Sequence, residues 1–374
     1  MSTPVSAPQV AADSPAKPSR TPANRYLLSV QYQDAPIPWD PYTGRGEINE
    51  HTDYFGGVFQ AMERHLNVDG LTICFTWRLD QLPCYGPDVV AVVMGDEWGR
   101  YPRYTHRVGA VFKMLGTDYP LEATPFQTST PLTAVTAAKY LRTQLFRMPS
   151  VGRAWRDKTR ARVTGASQTP VFDIPMGYAD QDSLPMKPFD ERAYDLYFSG
   201  SFVNQEFPWY APQTWLRTPK DVARSEMADA MQVLAADRPD LRIEIDARQS
   251  YVPQRSWGGE EATAERSYSE MMMDTRICPV PRGTRLETSR LYEALRSGCI
   301  IVSEPLPDRW YTRDLPALVL HDWAELPDLV KDLVADPDRM EKLHHDTRRW
   351  WNTKCSEAAV GRFMAERLNQ VLDT

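Results

Sequence analysis

Short apolar runs alternate along this chain with longer stretches whose apolar positions recur every three or four residues, and that alternation predicts an α/β protein. Residues 25–32 (RYLLSVQY) read as a first strand, 70–77 (GLTICFTW) as a second and 88–94 (DVVAVVM) as a third. The third is almost continuously apolar, as a central parallel strand buried on both faces should be. Residues 108–115 and 170–175 supply further strands, and helices are expected over 58–66 and 133–146. A second series begins with a strand at 194–201 and a helix at 220–236, in which Val222, Met227, Ala230, Met231 and Leu234 fall at core spacing. The strand 241–246 alternates, so it belongs near a sheet edge. A helix starting at 268–273 leads into a strand ending at 277–280; strands at 299–302 and 317–320 follow. Helices at 326–335, 338–351 and 357–372 close the chain, the last amphipathic through Val360, Phe363, Met364, Leu368 and Val371. Strand and helix alternating in this way predict doubly wound parallel sheets.

Composition divides the series. Residues 1–24 are rich in Pro, Ser, Ala and Thr and carry few large apolar side chains, too few to offset the entropy of ordering. A disordered tail is expected, and without an apolar h-region it is no signal peptide. Residues 176–192 are rich in Pro, Asp and Gly without period, as a crossing between domains would be. The expected organisation is a tail (1–24), a first domain (25–175), a linker (176–192), a second domain (193–352) and a C-terminal helix (353–374). A chain of 374 residues can bury two cores. Its net charge of -7 argues against general nucleic-acid binding. The five cysteines show no metal spacing, which points to reduced, buried thiols and a cytoplasmic protein. No run reaches the roughly 18–20 apolar residues that cross a bilayer.

The chemistry concentrates in ICPVPRGTRLETSRLYEALRSGCIIVSE, residues 277–304. A buried strand ends near Val280, and a turn follows with the cation Arg282 and Gly283, a residue free to take positive φ. A helix then starts at an N-cap of Thr288 or Ser289 and stops at Gly298 before a second buried strand. Its N-terminus faces a loop bearing Arg282 and Arg290, an arrangement that binds anions, above all a diphosphate. Glu293 projects on the same side, where it could accept hydrogen bonds from a ribose diol.

PRG, then SRLYEAL, then SGCIIV resembles the nucleotide-sugar-binding segment of exostosin-like glycosyltransferases, clearly over residues 268–302 and more weakly over 195–245. The resemblance implies two facing Rossmann-like domains (the GT-B architecture), with the C-terminal helix crossing back to brace the first. It implies a nucleotide-diphosphate sugar as donor, UDP- or GDP-linked, and no prosthetic group. By the same resemblance Arg290 contacts the diphosphate and Glu293 the ribose, and the loop Ser199, Gly200, Ser201 approaches the donor phosphates. Retaining enzymes of related architecture carry two glutamates eight positions apart, and Arg285 stands eight before Glu293, with Glu287 six before. Inverting transfer is therefore favoured, with leaving-group charge met by Arg290, Arg282 and the helix N-terminus, so that no metal is needed. The triplets Asp180-Gln181-Asp182 and Asp336-Pro337-Asp338 stand in loop contexts, unlike a metal-binding DxD motif at a strand end.

The base would come from the first domain. Asp96 and Glu97 follow the most apolar strand beside Trp98, where an apolar ring could raise a carboxyl pKa toward that of a general base. Asp53 lies in a polar, aromatic loop before Gly56-Gly57, glycines that would let a backbone approach a ligand. His344 and His345 sit in a charged helix and suit a surface or capping role. Base preference would rest on loops near Gln249 to Trp257, and Trp209, Tyr210 and Trp215 suit stacking. The acceptor stays open among polysaccharide, lipid-linked sugar, protein side chain, small metabolite and modified nucleobase. Two other classes compete: an epimerase-like enzyme, which would need a cleft histidine from His51 or His106, and a non-catalytic sugar-binding protein. No GxGxxG fingerprint marks a dinucleotide oxidoreductase.

Overall fold

The computed structural model describes residues 22–30, 35–43, 51–117, 130–165, 168–179, 182–201, 219–248 and 267–372. The loop residues Trp209, Tyr210, Trp215 and 249–257 and the pair Asp180-Gln181 lie outside them. Two sheets organise the protein. The first contains β1 (Arg25–Ser29), β2 (Ile37–Pro38), β3 (Thr72–Thr76), β4 (Gly86–Val93), β5 (Val108–Met114) and β6 (Val171–Ile174). Their spatial order is β2-β1-β3-β4-β5-β6, parallel throughout except for the short β2 edge. The second contains β7 (Tyr194–Ser201), β8 (Ile243–Arg248), β9 (Thr275–Val280), β10 (Ile300–Ser303) and β11 (Leu318–Val319), in the order β11-β10-β9-β7-β8, all parallel. The architecture is therefore α/β with two Rossmann-like sheets, and β8, the alternating strand, is an edge as expected.

One departure is topological. Apart from the short antiparallel β2, the strands of the first sheet run in chain order (β1-β3-β4-β5-β6), so its parallel crossovers never reverse direction, unlike the doubly wound pattern expected. In the second, the chain steps from β7 to β8 on one side and returns to β9 on the other. That switch point between β7 and β9 opens a crevice at their carboxyl ends, where open α/β sheets bind ligands.

The helices are α1 (Thr52–Glu63), α2 (Thr130–Thr164), α3 (Pro219–Asp237), α4 (Tyr268–Met273), α5 (Ser289–Ser297), α6 (Leu326–Val334), α7 (Pro337–Trp350) and α8 (Glu357–Leu372). α4 starts with a reciprocal capping box between Ser267 and Glu270. α5 ends in a Schellman motif: Gly298 takes φ 68°, and the Cys299 and Gly298 amides donate to the Ala294 and Leu295 carbonyls. α2 runs much further than the 133–146 expected, through Pro149 and Gly152. α1 starts at Thr52, six residues before the expected start, so Gly56 and Gly57 stand inside a helix rather than in a ligand loop. They serve packing: a Cβ on Gly57 would lie 2.8 Å from Glu357 Cγ, and one on Gly361 would lie 2.4 Å from the Val58 carbonyl oxygen. α8 thus lies tightly on α1 and braces the first sheet as expected. Tyr54 donates to the Cys355 carbonyl (2.6 Å) and Tyr178 to Glu357 (2.7 Å) along the same seam. At the other end of the tail boundary, Ala23 and Asn24 are tied to Glu63 rather than loose.

The sheets face each other by their carboxyl ends. Arg285, after β9, donates to the carbonyls of Glu97 (3.4 Å) and Leu115 (2.9 Å), which follow β4 and β5. Arg309, after β10, also donates to Leu115 (2.9 Å) and is ion-paired with buried Glu287 and with Asp173 of β6. Leu115 takes φ 61°, uncommon for a leucine, and its carbonyl is where both guanidinium groups converge.

Candidate functional site

The crevice at the β7/β9 switch point is lined from four elements. β7 ends in Phe198-Ser199-Gly200, and the Arg290 guanidinium lies 4.3 Å from the centre of the Phe198 ring, over its face. Gly200 makes room for it: a Cβ there would stand 3.1 Å from Arg290 Nη2. α5 supplies Thr288 at its N-cap, Ser289 and Arg290 in its first turn, and Glu293, whose carboxylate accepts the Tyr268 hydroxyl at 2.7 Å. The loop after β9 supplies Arg282, whose amide donates to Glu304 (2.8 Å) and whose carbonyl accepts from Arg224 (3.4 Å). Burial raises the Glu304 pKa, opposed by Arg282. α3 supplies Lys220 and Arg224 from its first turns, a pair the sequence reading did not single out.

Three cations, Lys220, Arg224 and Arg290, consequently crowd one place beside the N-termini of α3 and α5, with the Arg282 backbone against Arg224. Burial and then the neighbouring Arg290 push the Arg224 pKa down to about 10. Burial and then Arg224 push Lys220 down, opposed by Asp221 and by Glu97, which follows β4. Arg290 is also desolvated, but Tyr268, Cys278 and Glu293 more than compensate and raise its pKa. Three donors here are buried with no partner among the described residues: Arg290 Nη1, Arg282 Nε and the Thr288 hydroxyl. Like charges drawn together beside unspent donors are unfavourable by themselves, and an anion lodged among them would offset that cost.

The other expected residues fall as follows. Thr288 holds the N-cap position but makes no capping bond. Ser289 points to Met176 Sδ at 3.3 Å, and Ser199 donates to Asp246 of β8 at 2.8 Å, so neither hydroxyl is held in reserve. Gly283, though free to take positive φ, does not do so, and its amide donates to the Arg285 carbonyl. Ser201 closes β7.

Across the crevice, Asp96 is 4% exposed and accepts from the Arg100 amide (2.6 Å) and side chain (2.9 Å), with Lys113 Nζ at 3.1 Å. Burial alone would raise its pKa, but Lys113 and Arg100 outweigh burial and lower it. The raised carboxyl expected beside Trp98 is thus corrected: these two cations, not the ring, set its charge. What Asp96 does is shape the turn that presents Glu97, which is exposed. Asp53 is half-buried in the first turn of α1, near Tyr178. His51 is buried at the N-cap of α1, whereas His106 precedes β5, at the opposite end of the sheet from the crevice. His344 is buried, its Nδ1 2.5 Å from the Gly298 carbonyl oxygen, and burial holds its pKa down to about 4. Asp336 caps α7. Among the described residues no three His, Cys, Asp or Glu cluster as metal ligands, and no helix is long and apolar enough to cross a membrane.

No protein-family profile and no curated protein matches the chain. Solved structures do. The GtfA/B complex aligns at TM-score 0.38 and 13% identity over 78% of this chain and 58% of that one. The pneumococcal O-GlcNAc transferase GtfA in complex with UDP and GlcNAc aligns at 0.40 and 11%, over 81% and 57%. Sucrose-phosphate synthase from Thermosynechococcus elongatus aligns at 0.44 and 10%, over 93% and 99%. The chain thus spans under two thirds of the first two. Likenesses this distant leave the reading to the residues themselves.

Proposed function

We propose that this protein is a glycosyltransferase moving a sugar from a nucleotide-diphosphate donor to an acceptor hydroxyl, with inversion and without a metal ion. The observation that carries the reading is the crowding of Lys220, Arg224 and Arg290 at the β7/β9 crevice, beside buried donors of Arg290, Arg282 and Thr288 that meet no partner among the described residues. A diphosphate is the anion with the charge and oxygen count to engage them, and Glu293, fixed by Tyr268 one turn along α5, is the ribose acceptor. As the sugar–phosphate bond breaks, negative charge grows on the departing diphosphate, and Arg290 and Arg282 stabilise it in place. Glu97 is the base: it is exposed at the carboxyl end of β4, opposite the cations, and would take the proton of an acceptor hydroxyl attacking the anomeric carbon. Asp53 is the second choice. Inversion is favoured because Glu287, the remaining acidic group before α5, is buried against Arg309 and Tyr292 and cannot face a sugar.

The test is calorimetric titration with UDP, GDP and TDP without added metal, on wild type, Arg290→Ala and Glu293→Ala. One nucleotide should bind, and both variants should lose it. Failure of all three to bind wild type would sink the reading. The epimerase alternative needs a crevice histidine; of its two candidates His106 is at the wrong end of its strand and His51 is buried at the N-cap of α1.

A further inference from the structure

The side of α2 turned away from the protein carries an apolar stripe. Leu141, Leu145, Met148, Trp155 and Val163 recur at helical spacing along one line and are 63%, 64%, 56%, 70% and 82% exposed. The opposite side is the one that rests on the body. There Ser150 is buried, and Arg147 donates to the carbonyls of Gly99 and Thr117, in the segments following β4 and β5. Cations border the stripe: Arg142, Arg156 and Arg160 along one edge, Lys158 and Arg162 along the other. The helix as a whole holds eight Lys and Arg against a single Asp, in a chain of net charge -7.

We propose that α2 is an interfacial helix that seats the protein on an anionic lipid surface. Such a surface offers phosphates to the bordering guanidinium and ammonium groups and an acyl boundary to the Leu, Met, Trp and Val line, and the stripe needs both. A nucleic acid would use the cations and leave the apolar line in water. A second copy meeting stripe to stripe would bring its own arginine borders against these. The attachment points place the helix beside the crevice: besides the Arg147 bonds, the Phe146 ring lies 5.1 Å from Trp98, next to Glu97. An acceptor resident in the lipid surface would then arrive on the side of the proposed base. That last consequence rests on the transferase reading; the docking of α2 does not.

Flotation of the full chain with vesicles distinguishes the outcomes. Vesicles of phosphatidylcholine containing roughly a third phosphatidylglycerol should carry the protein up, and phosphatidylcholine alone should not. The pair Leu145→Glu and Trp155→Glu should abolish flotation with an unchanged melting curve, because both side chains are exposed. Arg156→Glu with Arg160→Glu should weaken it about tenfold. Absence of wild-type flotation with the anionic vesicles, or equal flotation with neutral ones, overturns the proposal. So does duplex DNA binding in its place, or a solution dimer that Leu145→Glu splits into monomers. Nucleotide binding by the Leu145→Glu, Trp155→Glu protein should match wild type, which separates this surface from the crevice.

Discussion

The carboxyl ends of the two sheets face each other, both carry charged side chains, and they treat that charge in opposite ways. After β4 and β5 the charges are matched where they stand: Asp96 meets Lys113 and Arg100, and the Lys113 ammonium also reaches the Gly116 carbonyl at 2.8 Å. After β7 and β9 like charges stand side by side: burial and then Arg290 lower the Arg224 pKa, and burial and then Arg224 lower that of Lys220. Topology follows the same division, because the second sheet has a switch point and the first has none. A protein tolerates like charges in a crevice when a ligand is to neutralise them, and it neutralises internally those that serve architecture. The loop between β9 and α5 shows both uses within a few residues. Arg285 and Glu287 turn toward the first sheet and help join the two, while Arg282 Nε and the Thr288 hydroxyl are buried without a partner among the described residues.

The largest effect should come from breaking the matched side. Glu287→Ala leaves Arg309 buried without its main carboxylate and strips the acceptor of the Tyr292 hydroxyl. Loss of one partner of a buried pair costs about 3–5 kcal/mol, so the urea midpoint should fall steeply. Nucleotide affinity of the molecules that remain folded should hardly move. An affinity loss with intact stability would place Glu287 in the crevice and dissolve the contrast.

Arg290→Ala tests the other side, and the expected pattern is reversed. Charge-assisted bonds to a diphosphate are strong, and their loss should weaken nucleotide binding about 100-fold, or about 2.7 kcal/mol. Stability should change by no more than about 1 kcal/mol, since the lost packing on Phe198 is offset by relief of repulsion with Arg224. Calorimetry and a melting curve on one sample decide it.

Asp96→Asn keeps an oxygen for the Arg100 amide but removes the charge facing Lys113, and about 2 kcal/mol of stability should be lost at neutral pH. The pH dependence gives the sign. A carboxyl whose folded pKa is lowered contributes stability that is present above its unfolded pKa, about 3.9, and lost as pH falls through the lower folded value. The gap between wild type and variant should therefore be full above about pH 5 and close in acid. A gap that widened in acid would mean that Asp96 carries a raised pKa after all, as a general base would.

Much of this was legible in the chain. The strands were, because buried parallel strands are continuous apolar runs, and so was the helix–Gly298 stop, because αL at a C-cap selects glycine. Arg290 and Glu293 stood out by their offsets in the segment 277–304. What could not be read was partnering. Asp96 and Glu97 are neighbouring carboxylates, yet Lys113, on the next strand, neutralises the first and the second is left exposed. Arg282 and Arg285 differ no more in sequence, and only the fold sends one to the crevice and the other to Leu115. Lys220 and Arg224 passed as the polar face of an ordinary helix, since nothing local says that α3 begins beside α5. Likewise Gly56-Gly57 resembled a ligand loop because the close approach of α8 is invisible until the chain has folded.

Thr288 gives the smallest effect and the sharpest sign. Its position is that of an N-cap, and a threonine capping through its hydroxyl would stabilise α5, so that Thr288→Val would cost about 1 kcal/mol. Its hydroxyl makes no such bond and is buried with no partner. Valine has the same shape without the unmet donor, so the empty protein should become more stable, by up to about 1 kcal/mol. If that hydroxyl is kept for a phosphate oxygen, the same change should weaken nucleotide binding about three- to tenfold. Stability and affinity moving in opposite directions under one isosteric substitution is what a site held ready for its ligand requires. A loss of stability would make Thr288 an ordinary cap, and a gain with unchanged affinity would leave the crevice to its arginines alone.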